Sequence, residues 1–196
     1  MKVTAIVGTY RKGHIIDSAV DEVLAGAQAA GAQVSKIYLL DKHIEFCTNC
    51  RACTQHEGPR GACSITDDMS SILDELEASD AIVLASPMNF FTVTALFKRF
   101  IERTVCYAYW PWNAKAPKMR MRPAKPAILV TSSAAPMIIS RPLSRIVYVL
   151  KMAANALGAK TVGILFMGMT AIDQNQVLTE REKRKARRLG TRLVLK

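Results

Sequence analysis

Apolar residues along the chain fall into two alternating kinds of run. Met1 to Gly8 is a short, β-branched stretch that is apolar at nearly every position, and His14 to Ala30 then sets Ile16, Val20, Val23, Leu24 and Ala27 at helical spacing. The change of period recurs. Val34 to Leu40 reads as a second strand after Gly31 stops the helix, and Asp67 to Ala78 as a helix with Asp67 as N-cap and Met69, Ile72, Leu73 and Leu76 on one face. Ala81 to Ser86 is a third strand, broken by Pro87, and Thr92 to Val105 is a helix with Val93, Leu96, Phe97, Phe100 and Ile101 facing inward. Pro126 to Ser132, Pro142 to Leu157, Lys160 to Met167 and Leu178 to Leu195 follow as strand, helix, strand and helix. Tyr107 to Lys125 keeps neither period; its prolines and aromatics make it a long irregular excursion, a kind of segment that commonly carries function. Strands apolar almost throughout, alternating with helices, predict an α/β fold whose parallel sheet is covered on both faces.

Length and charge narrow the picture. A chain of 196 residues buries roughly 70% of its unfolded surface and is expected to fold as one domain over residues 1–196. The longest apolar runs, such as Val162 to Met169, fall short of the roughly 18 residues of a membrane span, and Met1-Lys2 leads straight into a strand, so neither a membrane anchor nor a signal peptide is expected. Five cysteines, four of them close together, do not resemble a secreted disulfide framework and suit a cytoplasmic protein. The formal charge is +11, and part of it is the run Arg181 to Arg188 on the last helix. That run reads as a solvated face, since no recognition module or stacking aromatic accompanies it to argue for nucleic acid.

In such sheets ligands bind beyond the carboxyl ends of the strands. The first exit, Gly8-Thr9-Tyr10-Arg11-Lys12-Gly13-His14, is not GxGxxG, and His14 and Ile15 stand where a P-loop needs Lys and Ser/Thr, which argues against a dinucleotide fold and an NTPase. A hydroxyl, a guanidinium, an imidazole and free amides at a helix start make either a cradle for one phosphate or an ordinary strand-to-helix turn.

The third exit and its helix, Ser86-Pro87-Met88-Asn89-Phe90-Phe91-Thr92 followed by Val93 to Arg103, resemble the loop and helix of flavodoxin-like NAD(P)H-dependent FMN reductases, a group that includes the iron-sulfur flavoproteins. Gly8, Thr9, Arg11 and Gly13 match that family's phosphate loop, and Thr131 to Pro136 is similar to its third flavin-edge loop. The resemblance implies a flavodoxin-like three-layer sandwich, with a five-stranded parallel sheet in the order 2-1-3-4-5. It also implies FMN held through its phosphate by Thr9, Arg11, His14, Ile15 and Ile16. The ring would be lined by Pro87, Met88, Asn89 and Phe90 and bordered by Ser132 and Ser133. His14 and Ile15 replace the family's usual Asn and Ser/Thr, and Asn89 its usual Tyr.

Cys47, Cys50 and Cys53 are spaced two residues apart, and Cys63 follows nine residues after Cys53. Four thiolates satisfy one cluster or one zinc, or remain free thiols or a redox disulfide. The CxxCxxC core resembles the motif of iron-sulfur flavoproteins, which implies a 4Fe-4S cluster near FMN, although in that group the fourth Cys generally comes sooner. Cys106 reads as a packed thiol, and His43 and His56 as loop residues. Asp67-Asp68 look like a helix start and not a catalytic pair. Lys115, Lys118, Arg120, Arg122 and Lys125 accompany Tyr107, Tyr109, Trp110 and Trp112 in the excursion, as a rim for an anionic nicotinamide dinucleotide or as a dimer contact.

The family resemblance then implies a reductase: FMN takes hydride from NADH or NADPH and electrons pass to a quinone, flavin, metal or iron-sulfur acceptor, in a homodimer or homotetramer. No triad or paired carboxylate competes with that reading, because the flavin carries the chemistry. A flavodoxin-like electron carrier is the alternative, and such carriers tend to be acidic where this chain is basic. An interaction protein that has lost its flavin is the third.

Overall fold

A computed structural model describes residues 1–195; Lys196, the last residue of the expected domain, lies outside the described residues. Five strands form one parallel sheet: β1 (Lys2–Val7), β2 (Gln33–Tyr38), β3 (Ala81–Pro87), β6 (Lys125–Ser132) and β7 (Ala159–Met167), in the order β2-β1-β3-β6-β7. This is the expected 2-1-3-4-5 arrangement. A separate two-stranded ribbon, β4 (Ala108–Tyr109) with β5 (Lys118–Met119), lies inside the excursion and is antiparallel.

The central strands read as almost continuously apolar because each face of the sheet has its own core. Val3, Ala5, Val7, Val83, Ala85, Ile128 and Val130 pack beneath α1 (Ile15–Ala29) and α6 (Glu180–Val194). Ile6, Ile82, Leu84, Ala127 and Leu129 pack on the other side with α2 (Met69–Glu77), α3 (Ala95–Arg103) and α5 (Ile146–Ala156). Alternate residues of one strand thus enter opposite cores. A capping box between Thr179 and Glu182 starts α6. Among the described residues no helix is long and apolar enough to cross a membrane.

Two expected boundaries change. The helix expected from Pro142 begins earlier, as α4 (Met137–Leu143), breaks at Ser144, and restarts as α5. Pro142 lies near the C-terminal end of α4, and Ser144 turns extended (φ −101°, ψ 157°); apolar Ile138 and Ile139 stay exposed, so α4 lacks the buried face that a periodicity search detects. Helix α3 starts at Ala95 and not Thr92, because the Thr94 hydroxyl caps it by accepting from Phe97 N at 3.1 Å.

Candidate functional site

Beyond the carboxyl ends of β1, β3, β6 and β7 lies a cleft of about 340 Å³ lined by Thr9, Tyr10, Arg11, His14, Ile15, Ile16, Pro87, Met88, Asn89, Ser132, Ser133, Ala134, Thr170 and Ala171. Ten of the eleven residues expected there from the sequence are present. The exception is Phe90. Asn89 and Thr92 exchange backbone hydrogen bonds of 2.9 and 3.0 Å across a tight turn whose central residues, Phe90 and Phe91, both have positive φ (49° and 64°). The turn carries Phe90 away from the cleft, leaving it 99% exposed, so its side chain does not line the site.

The first loop is held from both sides. Gly8 N donates to Ala85 O at 2.8 Å, its carbonyl accepts from the Thr94 hydroxyl at 2.7 Å, and an added Cβ would stand 2.5 Å from Phe97 Cδ2, so only glycine allows this approach. Thr9 is buried, and its hydroxyl accepts from Arg11 N at 3.2 Å. Gly13 takes a left-handed φ of 74°, and its amide donates to Asp17 at 2.6 Å. Asp17 also accepts from Lys36 and the Tyr38 hydroxyl, both at 2.8 Å, and Lys36 pairs with Asp21 as well. Burial by itself would raise the Asp17 carboxyl; the hydrogen bonds from Gly13, Lys36 and Tyr38 prevail and hold it below the usual range.

His14 is the N-cap of α1, and its side chain makes no cap hydrogen bond. The first amides of that helix therefore face the cleft without a competing side-chain acceptor, a setting that suits an anion. Ile15 in place of the family's Ser/Thr offers no hydroxyl, but the His14 imidazole and the backbone donors stay. The Arg11 guanidinium lies 3.4 Å from His14 Nε2 and donates to Gln174 O at 2.9 Å, tying the first loop to the segment after β7. Thr170 and Ala171 of that segment line the cleft from the exit of the fifth strand, which carries no motif in the sequence to mark it. Thr170 N and its hydroxyl both donate to Ser133 O at 3.0 Å, closing the cleft from that side.

The cysteines occupy a different place. Cys47, Cys50, Cys53 and Cys63 line one small cavity together with Thr48, Asn49, Arg51, Ser64, Ile65, Arg103 and Val105, none of which lines the cleft. Asn49 and Arg51, both left-handed (φ 56° and 61°), curl the CxxCxxC segment. Cys63 is brought back by a close backbone crossing: Gly61 N donates to Cys106 O at 2.9 Å, and a Cβ on Gly61 would collide with the Cys53 carbonyl. The Arg120 guanidinium braces the intervening loop, donating to the carbonyls of Cys53, His56 and Gly58 at 3.2, 2.7 and 2.9 Å. Burial raises the Cys53 thiol, reinforced by the negative charge of the three neighbouring thiolates, whereas the Ala52 amide and the Ser64 hydroxyl, 3.7 Å away, lower that of Cys50. Among the described residues no group of three or more His, Cys, Asp or Glu is gathered to hold a single metal ion. A cluster makes a different demand, since each thiolate binds a different iron, and four soft ligands around one cavity with a guanidinium at its edge fit that donor set. Neither His43 nor His56 reaches the cavity, and Cys106 is buried, its thiol pushed up to about 12 by burial.

The basic, aromatic rim expected beside the cleft is not there. Tyr107 is fully buried, Trp110 and Trp112 sandwich the Arg51 guanidinium at 4.1 and 4.2 Å, and Lys125 donates to Leu76 O at 2.7 Å. The excursion instead clamps the cysteine loop to the body of the fold. Asp67 is not the N-cap expected of it: α2 is preceded by Asp68 at that position, and Asp67, which accepts from Met69 N at 3.0 Å, is paired with buried Arg103.

A doubly wound sheet with a cleft at the ends of β1 and β3, where the strand order reverses, and a helix N-terminus without a side-chain cap inside it, defines the flavodoxin-like class. The family model for NADPH-dependent FMN reductases matches residues 1–172, and the chain belongs to that family. An iron-sulfur flavoprotein of Archaeoglobus fulgidus is 35% identical over 111 residues, which are 57% of this chain and 49% of that protein. The chain spans about half the length of the curated relatives it matches. Among solved structures, an NAD(P)H:quinone oxidoreductase from Methanothermobacter marburgensis aligns with a TM-score of 0.73 over 98% of this chain and 96% of that one, at 15% identity. An FMN-dependent NADH-azoreductase from Bacillus anthracis in complex with FMN gives 0.72 over 99% and 100%, at 12% identity. At these identities the likeness is one of fold.

Proposed function

We propose that the protein is an FMN-dependent oxidoreductase that takes hydride from NADPH or NADH and passes electrons to a further acceptor. The observation that carries this reading is the cleft itself: four loops far apart in sequence meet around a helix start without a side-chain cap. Thr9, Arg11, His14, Ile15 and Ile16 would hold the FMN phosphate, with the amides of the first turn of α1 as principal donors. Pro87, Met88, Asn89, Ser132 and Ser133 would line the ring, and Thr170 would brace the Ser132-Ser133 edge. A bound flavin supplies the two-electron chemistry, so the chain's residues need only orient it, satisfy its polar edge and leave one face open to the nicotinamide.

Cys47, Cys50, Cys53 and Cys63 would hold a 4Fe-4S cluster, which makes an iron-sulfur centre one acceptor alongside a quinone, free flavin or metal ion. Support comes from the shared cavity and from the iron-sulfur flavoproteins among the relatives. A homodimer or homotetramer belongs to the same reading, since Phe90, Ile138 and Leu143 leave apolar surface uncovered at 99%, 80% and 69% exposure. Free thiols suit a cytoplasmic setting.

Anaerobic titration of the purified protein with FMN, followed by NADPH or NADH, tests the reading, with iron and sulfide assayed on the same sample. Flavin uptake and nicotinamide-dependent bleaching, repeated on reoxidation by a quinone, are the expected results. A protein that takes up no FMN overturns the assignment, and one that binds FMN but is bleached only by a reduced partner protein is a carrier.

A further inference from the structure

Helix α3 ends in an arginine that the cleft does not use. Arg103 and Asp67 are both buried, with side chains 2% and 0% exposed, and they form a two-pronged pair: Nη1 donates to Asp67 Oδ2 at 2.5 Å and Nη2 to Oδ1 at 3.2 Å. Each Nη makes a second contact as well. Nη1 reaches Glu45 O at 2.9 Å, and Nη2 reaches Cys63 Sγ at 3.5 Å. Asp67 in turn accepts from Glu45 N at 2.8 Å and Met69 N at 3.0 Å.

The pair therefore joins three pieces of chain: the strand of loop entering the CxxCxxC segment, the return segment bearing Cys63, and the end of α3. Arg103 is the only buried cation that touches a cysteine sulfur among the described residues. Burying two charges is costly unless each is paired and hydrogen-bonded, and core packing would be achieved more cheaply by apolar side chains. A charge retained at a ligand sulfur has an electrostatic use, because hydrogen bonds to the sulfurs and net charge set the potential of an iron-sulfur centre.

We propose that Asp67 and Arg103 form a positioning and tuning pair that sets the reduction potential of the cluster held by the four cysteines, Arg103 raising it and Asp67 offsetting that effect. The proposal rests on the cluster reading above. Adding one electron from a chemical titrant places one further negative charge beside Cys63; no bond is made or broken at the pair. The guanidinium favours that added charge and the carboxylate opposes it.

Substitutions that each remove one charge give opposite signs. R103Q leaves Asp67 negative and unpaired near Cys63, so the ratio of reduced to oxidised cluster at a fixed potential should fall by about tenfold, about 59 mV for one electron. D67N leaves the cation uncompensated and should raise the same ratio by a similar factor, while R103Q/D67N should return towards wild type. The experiment is an anaerobic dithionite titration of the iron-loaded protein followed by visible and electron paramagnetic resonance spectra, with iron per chain measured for each variant.

Opposite shifts support the proposal, since a purely structural pair would lower iron content in both variants without moving the potential in two directions. Shifts of the same sign, or none, in variants that retain iron overturn it. If R103Q does not fold, D67N decides alone: a raised potential supports the tuning role and an unchanged one removes it. If wild-type protein takes up no iron on anaerobic reconstitution, the cluster reading fails and the proposal falls with it.

Discussion

Asp17→Asn isolates what holds the first loop in shape. The carboxylate has a side chain only 5% exposed, accepts from Gly13 N, Lys36 and the Tyr38 hydroxyl, and faces Lys36, whose side chain is 19% exposed. Asparagine matches the volume but keeps one acceptor oxygen, and its amide points two hydrogens at groups that are themselves donors. Breaking a buried pair costs about 3–5 kcal/mol. Lys36 retains Asp21 as a partner, which reduces the loss to about 2–3 kcal/mol once one unsatisfied donor is counted. With a urea dependence of about 2 kcal/mol per molar, the unfolding midpoint should drop by about 1 M. The pH dependence gives a second check. Asp17 is held below the unfolded carboxylate value of about 3.9, so its contribution is present above that pH and is lost as pH falls through the folded value. Wild type and variant should therefore differ fully near about pH 7 and converge in acid. Gly13 N is released in the variant, so FMN affinity should weaken, while riboflavin, which has no phosphate, should bind as before. A stability loss under about 1 kcal/mol at neutral pH, or equal weakening of FMN and riboflavin, would refute the argument.

Three further substitutions test other joints. Gly8→Ala puts a methyl 2.5 Å from Phe97 Cδ2 in a filled core and should cost about 1–3 kcal/mol, read by thermal unfolding. Arg120→Met removes three hydrogen bonds to the cysteine loop and should cost about 2 kcal/mol, with faster protease cleavage between residues 53 and 61. Phe90→Ser should leave FMN affinity within about 0.5 kcal/mol of wild type, because its side chain points to solvent; a large loss would place Phe90 over the flavin.

Much of the architecture was readable because burial on two faces leaves a signature in each strand. Val3, Ala5 and Val7 enter one core and Ile6 the other, and Thr4, the one polar residue inside β1, is itself buried and hydrogen-bonded to Ser35 and Ser79, as a parallel sheet covered on both faces requires. The loops carrying Thr9, Arg11, Pro87, Met88 and Ser132 were readable for a related reason. They directly follow strands whose carboxyl ends converge at one edge, so their place in the fold follows from strand order.

The sequence by itself determined the alternation of strands and helices, the parallel sheet and the thiol set, and its family resemblance implied the strand order and ten of the residues at the cleft. Only the tertiary structure decided where loop side chains point and which distant groups they meet. Phe90 leaves the cleft because two successive positive φ angles turn the chain, a choice that no periodicity records. Trp110, Trp112 and Arg120 read as a rim for an anion but brace the cysteine loop, since their partners are Arg51 and backbone carbonyls about sixty residues away in sequence. Asp67 reads as a helix cap, but the cap position falls to Asp68 and Asp67 pairs with Arg103, 36 residues on. Helical and strand periods report how one segment faces its core. Charge pairing and loop direction depend on segments that meet only when the chain is folded.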